Sequence, residues 1–365
     1  MATIADENPH YWAEYTNLQH VKHELVRRYL GGWFPKLGTW AGRVIYVDTH
    51  AGRGRHLTGQ LGSPLVALKA LLTHNYRDAL LKKSEFRFLL IERDPVNLSA
   101  LQEELEALGP LPNGVIVEPL AGDAFAILQR LVEPLRSTRK RLAPAFAFVD
   151  PYGFKVPCGI LSALMGTGRV ELFVNLIWRE LDMALAQGRD KAGMAATLDL
   201  VFDGPEWRSV VDSADFDERA EQAVQLLATK VGAQWWTSIR MLGDNRATRY
   251  LLVHFTNHED GRDLMKDCVW SIAPHGGFYV RKSDNPNQQV LITPQPDLAP
   301  VKAWMLKQLR DGPKRWQDLH AALRPEPWRE THLNSVIREL RRQGIVTADD
   351  YRGRFGSKAN PLLRL

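Results

Sequence analysis

Five short apolar runs alternate with helical patterns over the first half of this chain, and no other feature so restricts its fold. The runs are 44–48, 86–92, 115–120, 146–150 and 170–177, and most are continuously apolar rather than alternating. Strands of that kind are buried on both faces, as in parallel sheets covered by helices. Helical stretches fall between them. Residues 17–30 place Leu18, Val21, Leu25 and Tyr29 on one face, with Gly31-Gly32 as the expected stop. Ser63-Pro64 opens a helix with proline at its favoured first position, and Asp94-Pro95 begins another that runs to Leu108. Regular strand–helix alternation predicts an α/β class with a doubly wound, mostly parallel sheet.

Two of these strands end on a carboxylate and break into a turn. The first reads Val47-Asp48-Thr49-His50-Ala51-Gly52-Arg53-Gly54; the second reads Val149-Asp150-Pro151-Tyr152-Gly153. In an open α/β sheet, ligands bind just outside the carboxyl ends of the strands. Two endings of different chemistry imply a cofactor loop beside a reaction loop, which is the arrangement that a class I S-adenosylmethionine (SAM) methyltransferase needs. Gly52 and Gly54 allow positive φ and close backbone approach, and Asp48 is placed to hold an ammonium group. Leu57 stands where a dinucleotide fingerprint has its third glycine, which disfavours a nicotinamide or flavin enzyme.

Glu92 ends the second strand, where an acidic side chain can accept from both hydroxyls of a ribose. Asp123, after the third strand, is a candidate acceptor for an adenine amino group or equally a helix cap. Asp150, with a backbone carbonyl near Pro151, has the acceptors needed to hold the hydrogens of an exocyclic amine. Tyr152 can stack on an extruded base. A strand-terminating turn would use Asp, Pro and Gly as well. His50 reads as a packed or capping residue rather than a base.

Beyond the fifth strand, 180–230 reads as a helical insertion. Trp235–Met241 and Arg249–Phe255 alternate like strands joined at Gly243-Asp244-Asn245, so the late part of the sheet is expected to be an antiparallel pair, completing seven strands. Residues 293–300 form a Pro-rich linker that separates a domain at 1–292 from one at 301–365.

The charge divides at the same place. Residues 300–365 carry 14 Lys and Arg against 7 Asp and Glu, while the rest of the chain is at −2. A basic module on a near-neutral body points to a polyanionic partner, or to a solvated helical surface. Helical patterns at Val301–Leu309, Trp316–Leu323 and Glu330–Gln343, followed by an apolar end at 361–365, outline a winged helix. Its third helix carries Thr331, His332, Asn334, Arg338, Arg341 and Arg342 at polar positions, suited to a DNA or RNA groove. Only Cys158 and Cys268 are present, so neither a disulfide framework nor a zinc cluster is expected. The opening residues lack a signal-peptide pattern and no run reaches membrane-spanning length; the expectation is a soluble, cytoplasmic protein.

An ordered set of these residues resembles the three-Cys-motif partner (TcmP) family. It comprises Lys22-His23 with Tyr29-Leu30, the Asp48–Gly54 turn, Gly62-Ser63-Pro64-Leu65, Glu92-Arg93-Asp94, Asp150-Pro151-Tyr152-Gly153, Asn175-Leu176, and Thr256-Asn257-His258 followed by Gly261, Met265, Lys266 and Trp270. The likeness spans roughly residues 10–280. It implies a methyltransferase-like fold and association with a second protein that carries a three-cysteine, radical-SAM-like motif. His50 departs from the aromatic residue usual there. Asp150-Pro151-Tyr152-Gly153 also resembles the Asp-Pro-Phe-Gly element of tRNA guanine-N2 methyltransferases. It is one proline short of the Asp-Pro-Pro-Tyr of DNA adenine enzymes. The expected activity is therefore methylation of an exocyclic base amine, or else a non-catalytic nucleic-acid-associated adaptor for the partner protein.

Overall fold

The computed structural model describes residues 10–210, 215–243, 247–274, 279–281, 295–349, 351 and 353–365. Two compact units emerge. The first takes residues up to Gly261 together with 279–288, and the second takes 262–278 and 289–365. The division is therefore not a single point at residue 292, because residues 262–278 group with the C-terminal part.

In the first unit the order is α1 (His10–Ala13), α2 (Asn17–Gly38), β1 (Arg43–Asp48), α3 (Ser63–Leu72), α4 (Arg77–Leu81), β2 (Glu85–Glu92), α5 (Pro95–Glu106), β3 (Val115–Ala121), α6 (Ala124–Thr138), β4 (Leu142–Val149), α7 (Cys158–Met165) and β5 (Gly168–Leu176). The helical insertion follows as α8 (Trp178–Gly188), α9 (Ala192–Val201), α10 (Trp207–Val210) and α11 (Phe216–Val231). Then come β6 (Trp235–Leu242), β7 (Thr248–Thr256), α12 (Glu259–Ile272), of which the residues up to Gly261 belong to this unit, and β8 (Tyr279–Arg281). The sheet order is β3-β2-β1-β4-β5-β7-β6-β8. Neighbours are parallel from β3 to β5, and β7 runs antiparallel to both β5 and β6. Seven of these strands are the ones expected. The eighth, β8, has three residues and pairs parallel with β6 at the edge. Of the predicted turn between β6 and β7, positions 244–246 lie outside the described residues.

Local chemistry explains most of the boundaries. Thr16 and Gln19 form a reciprocal capping box at the start of α2, with Gln19 Oε1 accepting from the Thr16 N–H at 2.7 Å. Asp94 and Asp123 cap α5 and α6 through their carboxylates. The expected stop at Gly31-Gly32 does not occur, since α2 continues through Pro35 to Gly38. Two glycines cost about 1 kcal/mol each in a helix. Burial of Tyr29, Leu30, Trp33 and Phe34, each at most 2% exposed, outweighs that at roughly 1.5–3 kcal/mol per large side chain. A buried carboxylate reinforces the contact: Glu171 of β5 accepts from Tyr29 Oη, from Trp33 Nε1 at 3.0 Å and from His254 of β7 at 2.9 Å.

The second unit contains α13 (Ala299–Arg310), β9 (Lys314–Arg315), α14 (Trp316–Leu323), α15 (Glu330–Arg342), β10 (Thr347–Asp349) and β11 (Leu362–Arg364), with the strands ordered β10-β11-β9. Of the predicted linker, 293–294 lie outside the described residues, and Ala299-Pro300 already belong to α13 rather than to a linker. Its core is Val301, Met305, Leu309, Trp316, Leu319, Leu323, Leu333, Val336, Ile337, Leu340 and Leu363. The later residues of α12 pack here too: Lys266 Nζ donates to the Trp328 carbonyl at 2.8 Å and Trp270 Nε1 to the Pro327 carbonyl at 2.8 Å. Among the described residues, no helix is long and apolar enough to cross a membrane.

Candidate functional site

The carboxyl ends of β1, β2, β3, β4 and β5 open onto two cavities in the first unit. One, about 410 Å³, is lined by Trp12, Thr49, His50, Gly52, Glu92, Arg93, Gly122, Asp123, Ala124, Phe125 and Lys155. The other, about 550 Å³, is lined by Glu14, Gln19, Lys22, Asn175, Arg179, Glu180, Arg249 and Tyr250, among others. Asp150, Pro151 and Tyr152 belong to both walls, and Gly153 to the second. Sequence distance hides this junction: β1 pairs with β4 in register Asp48↔Phe148, which sets the two turns side by side.

In the first cavity Glu92 is held by two backbone donors, Gly52 N–H to Oε2 at 2.8 Å and Asp94 N–H to Oε1 at 2.7 Å. These bonds tie the end of β2 to the turn after β1 and fix an acceptor in the wall. Asp123 stands at the next strand end, capping α6 through Oδ1 at 2.9 Å from Ala126 N. Phe125 supplies an aromatic face, and His50 packs edge-on to it at 6.0 Å. Burial pushes His50 down to about 4, so it is neutral near pH 7. Volume and lining together suit a nucleoside: acceptors for a diol and an amine, with aromatic surface between them.

Three predicted cofactor residues do not line this cavity. Asp48 is fully buried beneath the turn, accepting from Tyr46 Oη at 3.0 Å and from His50 N–H at 3.3 Å. Burial raises it to about 7, partly offset by hydrogen bonds from Ser63 and Tyr46. Ala51 turns its N–H to the Ile91 carbonyl at 2.9 Å, and its methyl is buried. Gly54 does adopt φ +79°, but its missing Cβ makes room for Leu101 of α5. Gly52 reaches the cavity wall at φ +62°, and a Cβ there would lie 2.3 Å from the Trp12 ring. The close approach expected of a ligand is thus made, at least in part, by this chain's own indole.

Asp150 is the centre of the second cavity's polar wall. Lys22 of α2 forms an ion pair with Oδ2, and Asn175 Nδ2 of β5 donates to Oδ1 at 2.6 Å. Burial works to raise the Asp150 pKa, yet the Lys22 ammonium and the Asn175 amide prevail, and the carboxyl sits below its usual range. It is an ionised acceptor near neutral pH. Tyr152 is 66% exposed at the mouth of both cavities.

Sequence reading missed Lys22 and Asn175 as site residues. The signal was there for both: Lys22 falls four residues after Leu18 on the buried helix face, and Asn175 interrupts an otherwise apolar strand end.

In the second unit, α15 exposes Thr331, Arg338 and Arg342. His332 and Asn334 do not belong to that surface. The His332 ring packs against Trp270 at 4.4 Å, and Asn334 accepts from Trp316 Nε1 at 2.8 Å. The helix is amphipathic with a wide buried face, and both polar side chains fall inside it. Arg341 is half-buried, its guanidinium 4.2 Å from the Tyr351 ring.

The order β3-β2-β1-β4-β5-β7-β6, with β7 reversed and the cavities at the carboxyl ends, is that of a class I methyltransferase-like sheet. No protein-family model matches the chain, and no curated protein matches it. Solved structures do. Protein LPL1258 from Legionella pneumophila is 13% identical over 66% of this chain and 85% of its own, with a TM-score of 0.37. A loganic acid methyltransferase solved with SAH is 8% identical over 71% and 84%, with a TM-score of 0.29. PKMT2 from Rickettsia typhi is 10% identical over 66% of this chain but only 56% of its own, with a TM-score of 0.29.

Proposed function

We propose that the first unit is a SAM-dependent methyltransferase acting on an exocyclic amine of a nucleic-acid base. The observation that carries this reading is the Asp150-Pro151-Tyr152 turn, which forms part of both cavities at once. SAM, when bound, supplies an electrophilic methyl group on a sulfonium. Glu92 and Asp123 would hold its hydroxyls and adenine amine, with the Gly52 turn and Phe125 as walls. Asp150, kept ionised by Lys22, accepts a hydrogen of the target amine, holds that nitrogen in place, and is the base nearest its surplus proton. Tyr152 offers its exposed ring to a base withdrawn from its stack. Arg179 and Arg249, on the same cavity wall, supply positive charge for a phosphate.

The second unit we read as a winged helix. Its helix–strand–helix–helix–strand–strand order, its exposed Arg338 and Arg342, and the local excess of positive charge support nucleic acid as its ligand. Membership of the TcmP family gains support from the meeting of Lys22, Asp150 and Asn175, which come from three separate blocks of the motif set, in one polar cluster.

One observation favours the adaptor reading, in which the chain binds SAM and serves a three-Cys-motif radical-SAM-like partner without transferring methyl groups. Both carboxylate oxygens of Asp150 are already engaged, by Lys22 and by Asn175. Calorimetry with SAM, followed by labelled-methyl transfer to mixed RNA and DNA, separates the two. We expect binding and transfer by the natural chain, and Asp150→Asn to keep SAM affinity while transfer falls by about a hundredfold or more. Tight binding with no transfer supports the adaptor; equal loss of both functions in Asp150→Asn overturns the assigned role of Asp150.

A further inference from the structure

Strand order fixes what lies between the two ends of the proposed site. β3, β2, β1 and β4 are successive neighbours, so Asp123, Glu92, the Gly52 turn and Asp150 follow one another along the carboxyl edge of the sheet. With a ribose at Glu92 and the target amine at Asp150, the two ends are two strand spacings apart, about 10 Å. Whatever joins them has to cross the turn after β1. Trp12 of α1 reaches that turn from outside the sheet. The tip of its indole is seated on Gly52, where a Cβ would run into Cη2 and Cζ2. The ring is half-buried and forms part of the first cavity's wall. Its position is held from both sides: the Trp12 carbonyl accepts from Leu57 N–H at 2.9 Å, and the indole stands 5.0 Å from the His56 ring. The chain then passes to the second cavity, whose wall includes Glu14, Thr16, Leu18 and Gln19. Residues 12–19 thus touch both cavities, as the Asp150-Pro151-Tyr152 turn does.

A cation at this crossing meets carboxylates that are already engaged. Asp150 is paired with Lys22, Glu92 accepts from two backbone N–H groups, and Asp48 is buried beneath the turn. An indole ring attracts a cation through the negative potential of its face, more strongly where water is displaced. We infer that Trp12 is a specificity-determining residue of the cofactor site, its indole meeting the sulfonium and so distinguishing SAM from the neutral thioether SAH. This inference rests on the reading of the first cavity as a SAM site and goes beyond it in naming the group that reads the cofactor's charge. It holds whether the chain transfers methyl groups or serves as an adaptor.

The test is calorimetry on the full chain with SAM and with SAH, independent of methyl transfer. Trp12→Leu keeps apolar bulk and removes the aromatic face. The ratio of SAM to SAH affinity should fall roughly three- to thirtyfold, the range of a cation–π contact. A second series covers the case in which the leucine variant does not fold: the natural sequence is produced with tryptophans of increasing fluorination, which keep the ring's shape and drain the potential from its face. Trp12 is the one tryptophan among the described residues that line either cavity, so the ratio should fall stepwise with fluorine content. A Trp12 that only packs the turn would weaken both ligands alike in the leucine variant and neither selectively in the fluorinated series. A constant ratio in either series overturns the inference. The two levels remain distinct: SAM and SAH bound with an unmoved ratio removes the role of Trp12 alone, whereas neither ligand bound by the natural protein removes the SAM reading and this inference with it.

Discussion

Asp48 and Asp150 hold equivalent places after neighbouring strands, and their environments drive them apart. Asp150 has a cation against it and stays ionised; Asp48 has only neutral donors and is buried, so its pKa is about 7. The consequence is a pH dependence that can be isolated. Between about pH 4 and 7 an unfolded Asp48 has lost its proton while the folded one keeps it, so the unfolded state binds fewer protons and stability falls as pH rises. His23 acts oppositely, because burial pulls it down to about 3 and the unfolded state binds the extra proton below about pH 6.5. Asp48→Asn removes the first contribution and leaves the second. Urea unfolding at a series of pH values should show the variant gaining on the natural protein from pH 4 to 7, by at most about 4 kcal/mol. A constant offset between the two would refute this account of Asp48.

Helix α2 shows how packing at the scale of an element overrides local preference. Its Tyr29 and Trp33 donate to Glu171 of β5, and α12 begins against the same cluster. A Cβ at Gly261 would lie 2.9 Å from both Glu171 Oε2 and Thr256 Oγ1 and 3.1 Å from Tyr29 Oη. Helix propensity alone says that Gly261→Ala gains about 1 kcal/mol. Overpacking against three ordered polar atoms says that it loses roughly 1–3 kcal/mol. We expect the loss, seen as a lower urea midpoint with unchanged slope. The same clamp carries Lys22, about two turns before Tyr29 on α2, to Asp150, so the helix that Gly31-Gly32 was expected to end is the one that completes the polar wall.

At the scale of the whole molecule, the two units divide the proposed work: chemistry in the first, nucleic-acid contact in the second. The exposed stripe of α15 makes that contact testable. Arg338→Ala and Arg342→Ala should each weaken binding to DNA and lower the slope of log affinity against log salt by about 0.9. His332→Ala should leave the slope unchanged and instead destabilise the second unit, since its ring is packed between Trp270 and Trp328. Fluorescence anisotropy across a salt series measures both. A slope unmoved by either arginine would point away from nucleic acid and toward a protein partner for this face.

From the residues alone came the α/β class, the antiparallel pair at the end of the sheet and the Asp150-Pro151-Tyr152-Gly153 turn, because hydrophobic period and turn chemistry are local properties. Glu92 and Asp123 were legible for the same reason, as the residues that end strands in an open sheet. The tertiary structure alone decided which carboxylates face a cavity. Asp48 and Glu92 end adjacent parallel strands, yet burial takes one beneath the turn and two backbone N–H groups fix the other in the wall. It alone decided that His332 and Asn334 serve the core, since two residues of an amphipathic helix change faces with a modest rotation. It also joined Lys22, Asp150 and Asn175, separated by 128 and 25 residues, into one polar cluster. Proximity of that kind is set by strand order, and strand order is a property of the assembled sheet.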